Sequence, residues 1–450
     1  IMTGWHVWRR LALGATLMVL LTGLSASYLP ASHLPAVLAA GSANAGWTEI
    51  GVGSASGGGI SQTEGTSIVP ALAIDPHGRP VIAWRERTPD NEEIYLRRWN
   101  GTTWEELGGS ASGGGVSDTH GASDMPSLAI GRDGQPVVAW IEGFHTGSGN
   151  VYVRRWNGQI WEEVGAGSAS LGGISGAGRA GYPSLAVAPD GTLVVAWQQL
   201  LENRYEIYAK RWRGSAWEEM GSSASGGGIS DDENNSMRPS LAIGPDGLPI
   251  VAWEARLPVD DISTNDEVYL RRWNGAAWVE LDGSASGGGV SNTSGYSTRP
   301  SLAVGSDNRP VVAWHDSSDH LYQIYVRHWD GTSWVGVGAP FGDETSHDDY
   351  GAWSASLAVG PNSMPVVAWE HIDSTRRHLV VRRWNGSAWA EVGNDGVDGT
   401  TNAAWPSLAV APNGRPVLAW YTGLQGGNEE IYVRQHAPLL VPRAYAPLIR

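Results

Sequence analysis

Tryptophan returns along this chain at a nearly constant interval, and that periodicity limits the fold more than any other feature. One series stands at Trp84, Trp140, Trp197, Trp253, Trp314, Trp369 and Trp420, with spacings of 56, 57, 56, 61, 55 and 51 residues. A period of this length marks an array of supersecondary units rather than a conventional domain. Around each of these tryptophans the same text recurs: Pro-Ser-Leu-Ala-Ile, a turn, Pro-Val-Val-Ala-Trp, a variable loop, Ile-Tyr-Val-Arg-Arg-Trp-Asn-Gly, then Trp-Glu-Glu-Leu-Gly.

Each unit therefore holds four short β-rich segments, A to D, bounded by turn residues, which predicts a four-stranded blade. In the second unit the strands are expected near Pro126–Ile130, Pro136–Trp140, Val151–Trp156 and Trp161–Val164. The A–B turn carries Asp-Gly, as at Asp133-Gly134, and the C–D turn carries Asn-Gly, as at Asn157-Gly158. Both pairs tolerate positive φ and suit tight reversals. Segments A and B are apolar on both faces, as in a sheet sandwiched between two others.

The strand count implies a closed ring. The D-strand tryptophan occurs at Trp47, Trp104, Trp161, Trp217, Trp278, Trp334 and Trp389, whereas the C-strand one occurs only at Trp99, Trp156, Trp212, Trp273, Trp329 and Trp384. The chain thus opens on an orphan D strand at Trp47–Gly51 and ends on an A–B–C set whose last strand is Ile431–His436. If the first strand completes the last blade, two sheet edges disappear. The expectation is an all-β, seven-bladed β-propeller over residues 46–436, with Glu49 across from Arg434. The same register arithmetic sets Arg98 against Glu105, Arg155 against Glu162, Arg97 against Glu106, Arg154 against Glu163, Arg271 against Glu280 and Arg382 against Glu391. These read as cross-strand ion pairs worth about 0.2–1 kcal/mol each. The tryptophans that recur in every unit read as blade packing. Trp353 and Trp405 lie outside the repeat pattern, and Trp5 and Trp8 in the N-terminal segment.

Composition narrows function. A net charge of −16 argues against nucleic acid, which demands a basic face. There is no cysteine, hence neither a disulfide nor a thiolate metal site. Lys210 is the single lysine among 30 basic residues. No Gly-x-Ser-x-Gly elbow or His-Glu-x-x-His motif occurs, so hydrolase signatures are missing. No catalytic residue, metal or cofactor is assigned. His315, Asp316, Asp319, His320, His347, Asp348, Asp349, His371 and Asp373 gather imidazoles and carboxylates without a fixed ligand spacing, and read as a polar rim. The run from Asp260-Asp261 to Asp266-Glu267 reads as a solvated loop.

A ligand is expected at the end of the propeller that carries the long B–C and D–A loops, because function on a rigid scaffold rides on its variable loops. The A–B and C–D turns at the other end are too short and uniform to build a selective pocket. The D–A loops open with Gly-Ser-Ala-Ser-Gly-Gly-Gly-Ile-Ser or a close relative, read as a spacer between blades. Two positional series border the channel at the loop end. The residue before the A-strand proline is Val69, Met125, Tyr182, Arg238, Arg299 or Trp405, with Ser354 in the unit lacking that proline. The residue after the B-strand tryptophan is Arg85, Ile141, Gln198, Glu254, His315, Glu370 or Tyr421. From these, Tyr182, Arg238, Glu254, Arg299, His315, Glu370, Trp405 and Tyr421 form the candidate ligand site. They combine aromatic faces with charged groups, the mixture that binds sugars.

The Pro-Asp-Gly-x-Pro-Val-Val-Ala-Trp segment resembles the Asp-box of sialidases without its Ser-x-Asp-x-Gly-x-Thr-Trp order. Across residues 46–436 the units resemble those of bacterial secreted propellers of the sialidase-like and lectin-like group. The resemblance implies a propeller fold and, for sialidases, an arginine triad, a tyrosine nucleophile and an acid pair. Those groups have no residue-by-residue counterpart in this chain. The expected function is a non-enzymatic binding propeller for a glycan or a surface protein, monomeric, with a glycoside-processing enzyme or a purely structural surface protein as alternatives. Arg9-Arg10 followed by the apolar run Leu11–Leu24 reads as a signal peptide or N-terminal anchor within residues 1–45, placing the protein outside the cell or on its surface. Residues 437–450 read as a proline-rich tail.

Overall fold

The computed structural model describes residues 46–143, 149–176, 178–256, 265–318, 322–341, 351–372, 376–393, 397, 402–423 and 428–437. The N-terminal segment 1–45 and the tail beyond residue 437 lie outside the described residues. Among those described, all regular structure is β, arranged as seven four-stranded antiparallel sheets. Blade two consists of strand A (Ser123–Ile130), B (Pro136–Glu142), C (Asn150–Trp156) and D (Trp161–Glu163), in that spatial order. Blades one and three to six follow the same order. Blade seven joins A (Ala403–Val410), B (Pro416–Gly423) and C (Glu429–Gln435) to the first strand of the chain, Thr48–Glu49. Glu49 stands opposite Arg434, as the repeat alignment requires. The A strands line the axis, each beside the next, and strand A of blade one abuts that of blade seven, which closes the ring.

The apolar text of strand B follows from its place. Pro136–Glu142 is buried at every residue because the strand has a sheet on each side. The seven B-strand tryptophans are at most 2% exposed. Removing about 150–250 Å² of each from water contributes roughly 4–6 kcal/mol of transfer free energy.

The D-strand tryptophans act differently. Each donates its indole Nε1–H to a backbone carbonyl just after the D strand of the preceding blade: Trp104 to Ile50, Trp161 to Leu107, Trp217 to Val164, Trp278 to Met220, Trp334 to Leu281 and Trp389 to Val337. Trp47 donates to the Val392 carbonyl at 2.8 Å and completes the circle. Glycine follows this carbonyl in six of the seven blades, and Asp282, at φ +50°, follows it in the other. At Gly108 φ is +59°, and an added Cβ would sit 2.5 Å from the Trp156 ring of the next blade.

The paired-charge expectation holds on one side of strand C only. Arg98 meets Glu105 at 2.8 Å, Arg155 meets Glu162 at 2.7 Å and Arg211 meets Glu218 at 3.0 Å. On the other side the arginines point into the seam between blades. Arg154 pairs in register with Glu163, yet its guanidinium donates to the Val116 carbonyl, and Arg271 donates to that of Ile229. Arg382 lies over the rings of Phe341 and Trp369. Lys210 occupies the same position and donates Nζ to the Ile174 carbonyl, so the lone lysine is a conservative exchange inside the repeat. The matching glutamates turn to their own D–A loops, as Glu163 accepts the amides of Gly167 and Ala169.

The D–A loop is accordingly more than a spacer. Its first serine bonds across to strand C, as Ser110 does by donating to the Leu96 carbonyl and accepting from the Leu107 amide. At the inner wall, the A-strand serine of one blade accepts the leucine amide of the next, for example Leu185 N–H to Ser127 Oγ at 2.9 Å and, across the closure, Leu72 N–H to Ser407 Oγ at 3.0 Å. Blade one has Ala71 where the others have serine, so the Leu128 amide of blade two lacks this acceptor. Ala71→Ser is expected to stabilise the protein by about 0.5–1.5 kcal/mol, and Trp47→Phe to cost a similar amount or more. Thermal unfolding of the two variants checks both signs.

Candidate functional site

The residue before each A-strand proline has an uncommon backbone. Val69, Met125, Tyr182, Arg238, Arg299, Ser354 and Trp405 all have φ between +50° and +54°. At each of them the A–B ladder slips, as between Met237 and Ser240 or Thr298 and Ser301. These are β-bulges. The left-handed conformation costs a non-glycine residue about 1–3 kcal/mol, and the cost is highest in kind for β-branched Val69. Seven strained bulges at equivalent places set seven side chains around the axis at the end where the A strands begin. They line a cavity of about 290 Å³ whose remaining wall is the following prolines and serines.

Tyr182, Arg238, Arg299 and Trp405 thus converge on one cavity. The Arg238 guanidinium lies 5.6 Å from the Tyr182 ring centre, and that of Arg299 lies 5.1 Å from the Trp405 ring. Glu254, His315 and Glu370 stand behind the bulges, nearly without solvent contact at 0%, 2% and 4% exposure. They hold the ring in place. Glu254 takes Arg238 Nη1 at 2.7 Å and accepts the bulge amide of Arg299 at 3.3 Å. Glu370 accepts the bulge amide of Trp405 at 2.8 Å, and Gln198 that of Arg238 at 3.0 Å. Tyr421 is half-buried and packs against the core around Trp84 rather than in the cavity wall. Gln198 is the residue that sequence reasoning passed over. Its position in the same series as Glu254 and Glu370 was the available signal.

The electrostatics are lopsided. Burial would lower the Arg238 pKa, but the Glu254 carboxylate outweighs it and leaves the pKa above its ordinary value. Arg299 has no carboxylate at ion-pair distance among the described residues, and burial, with Arg238 beside it, holds its pKa below the ordinary value. Burial, then the positive charges of Arg299 and Arg238, push His315 down to about 3, so its imidazole is neutral. Its Nε2 meets Thr298 Oγ1 at 2.5 Å, and its Nδ1 has no partner among the described residues. His315 also touches a small aromatic group, with Tyr322 and Trp353 ring centres 4.0 Å apart.

The rest of the histidine and aspartate cluster does not assemble among the described residues. Asp319, His320, His347, Asp348, Asp349 and Asp373 lie outside them, and no group of three metal-ligating side chains is found among those described. Asp260 and Asp261 are likewise outside, while Asp266 pairs with Arg256 at 3.0 Å.

Contrary to expectation, the hairpin end also has clefts. The largest, about 530 Å³, lies between blades two and three and is lined by Arg132, Asp133, Arg155, Asp190 and Arg213. Counterparts recur between blades five and six and between six and seven, at about 410 and 250 Å³. They arise from the splay of neighbouring hairpins and repeat with the blades. The axial cavity is single and chemically asymmetric, so it remains the better candidate.

These features define a seven-bladed β-propeller with an axial loop-end cavity. The family described as "BNR repeat-containing family member" matches over residues 114–337, just under half of the chain, in line with the seven-bladed β-propeller fold. Among solved structures, the chain is similar to a polysaccharide lyase, described as an ulvan lyase of family PL25. The identity is 12%, covering 83% of this chain and 91% of the lyase, with a TM-score of 0.50. An α-L-arabinanase of Penicillium chrysogenum is similar at 14% identity over 83% of this chain and 96% of its own, with a TM-score of 0.45. A protein of unknown function from Dyadobacter fermentans gives 14%, 83%, 94% and 0.44. No curated protein matches the sequence.

Two stability effects follow from the site. Val69→Gly relieves a β-branched residue at φ +54° and is expected to raise stability by up to about 1 kcal/mol despite glycine's greater chain entropy. Glu254→Ala strands Arg238 and the Arg299 amide together and is expected to cost about 3 kcal/mol. Denaturant titration reads both.

Proposed function

We propose that the protein is a carbohydrate-binding propeller that takes an acidic sugar residue in the axial cavity. The observation that carries this reading is Arg299. It lines the cavity, lies over Trp405 and has no carboxylate partner among the described residues, whereas its neighbour Arg238 is neutralised by Glu254. A carboxylate or sulfate on the ligand supplies the missing charge, and the Trp405 and Tyr182 rings offer stacking faces. The volume suits one or two sugar rings, so the ligand enters by its end. A binding role without turnover is favoured by the carboxylates nearest the cavity. Glu254 and Glu370 are buried and already engaged with Arg238 and with bulge amides. The N-terminal segment suggests that binding takes place outside the cell or on its surface.

The test is a glycan array with neutral, uronate-bearing and sulfated oligosaccharides, followed by calorimetric titration of the best binder. Arg299→Ala is expected to weaken binding of acidic glycans about tenfold or more, and Trp405→Ala to weaken it as well. Asn157→Ala, at the hairpin end, leaves affinity unchanged. Binding insensitive to Arg299 and Trp405 refutes the assigned cavity, and release of smaller saccharides from the bound glycan replaces the binding reading with an enzymatic one.

A further inference from the structure

Three of the seven blade seams bury two carboxyl groups side by side, and three others have no carboxyl at either of the same two positions. At the seam between blades one and two stand Glu93 of strand C and Glu142 of the next strand B. The equivalent residues are Glu267 and Asp316 between blades four and five, and Glu430 and Glu86 at the closure of blade seven on blade one. All six are at most 8% exposed. The seams between blades two and three, five and six, and six and seven have Asn150 with Gln199, Gln323 with His371, and His378 with Thr422. In those six seams both carboxyls occur or neither does. The remaining seam has Glu206 with Ala255, and there an aspartate, Asp232, has moved into the loop.

Each doubly acidic seam is sewn by the same Ser-x-Thr in the D–A loop. The serine hydroxyl meets the strand C carboxylate, and the threonine two residues on meets the strand B carboxylate. Ser117 bonds Glu93 at 2.5 Å and Thr119 bonds Glu142 at 2.8 Å. Ser291 bonds Glu267 and Thr293 bonds Asp316. Ser61 bonds Glu430 and Thr63 bonds Glu86. The B-strand carboxylate is further satisfied by a second serine and by the buried tryptophan, as Glu86 is by Ser67 and Trp84. The strand C carboxyl meets its serine through one oxygen, in Glu93 Oε2 with the Asn91 amide on Oε1, so a proton on the serine-facing oxygen leaves the other acceptor in place. It then donates to the serine oxygen, and the serine proton turns to a loop carbonyl 3.5 Å away, Gly114 for Ser117 and Gly288 for Ser291.

We propose that these stitches make the propeller an acid-tightened ring, in which Glu93, Glu267 and Glu430 hold a proton in mildly acidic medium and lose it towards alkaline pH, loosening three seams. The charged and titratable groups that face them are Glu142, Glu86 and Tyr95 for Glu93, Asp316, Arg327 and Tyr269 for Glu267, and Glu86 and Tyr432 for Glu430. Burial raises all three glutamates, Glu267 from 4.5 to about 7, while hydrogen bonds hold Asp316 low against its own burial. A carboxyl raised in the folded state binds more protons there than in the unfolded chain. Its contribution is therefore complete below about pH 4.5 and is lost as pH climbs through the folded value. His315, lowered to about 3, works in the opposite sense below pH 6.5, so the variant comparison at two pH values is decisive.

The experiment compares thermal unfolding of the wild type with Glu267→Gln, Glu93→Gln and Glu430→Gln, each alone, at pH 5 and pH 8. Glutamine keeps the acceptor for the serine and mimics the protonated acid. For Glu267→Gln the expected result is a midpoint roughly 2 °C above wild type at pH 8 and unchanged at pH 5, and for the other two variants a larger gain over wild type at pH 8 than at pH 5. An equal loss at both values in all three variants overturns the proposal, since the carboxylates would then act only as charged acceptors. A calcium-dependent rise of the wild-type midpoint at pH 8 that the glutamine variants lack also overturns it, because ionised pairs would then be cation ligands.

Discussion

Every blade depends on the seam it makes with the one before it, and the most regular bond of that seam is the indole N–H of the D-strand tryptophan reaching the preceding blade's carbonyl. A four-stranded sheet of this kind has two apolar faces and no means of hiding them alone. The bond from each tryptophan, the glycine that lets the next ring lie flat against the chain, and the serine stitches of the D–A loop fix the angle at which neighbours meet. When the seventh such bond runs from Trp47 to Val392, the first strand of the chain is held 345 residues away from its start. The edge of the last C strand, Glu429–Gln435, is thereby covered by Thr48–Glu49, which becomes the outer strand of blade seven.

The same seams account for most of the polar residues that looked like candidates for chemistry. Arginines of the inner series, lone Lys210, the Glu pairs and the serines of the glycine-rich loop are all spent on joining blades. What remains uncommitted is small, and it is concentrated on the axis. The seven bulges put their side chains there at the expense of backbone strain, and variation among those seven residues makes a symmetric scaffold into an asymmetric cavity. Strain at a site that varies while the surrounding repeat does not is consistent with a functional demand at that place.

The cavity and its supports divide cleanly by position. Residues on the bulges face the axis, and of the residues after the B-strand tryptophan, Gln198, Glu254 and Glu370 lie behind them as acceptors for their amides. Sequence reading grouped both series as one ligand site because each varies from unit to unit. Variation alone does not distinguish a side chain that meets a ligand from one that tunes its neighbour. Glu254 and Glu370 hold their roles because a left-handed residue turns its N–H away from the ladder, and that N–H needs an acceptor.

Repeat count, blade composition, tight turns and the closing strand were all legible in the sequence. They depend on local period, on turn chemistry and on a strand count that leaves one D segment at the start and one blade short of it at the end. The register of Glu49 on Arg434 followed from alignment within the repeat alone. The sequence could not reveal the positive φ at Arg238 or Trp405, because residues of those types carry no preference for it and only the neighbouring sheets enforce it. Nor could it separate Arg98, which meets Glu105 on the surface, from Arg154, which leaves Glu163 for a carbonyl of the adjoining blade. Cross-strand distance is set within a hairpin, but the partner a long side chain takes is decided by which blade lies within its reach, and that is settled only when the ring closes.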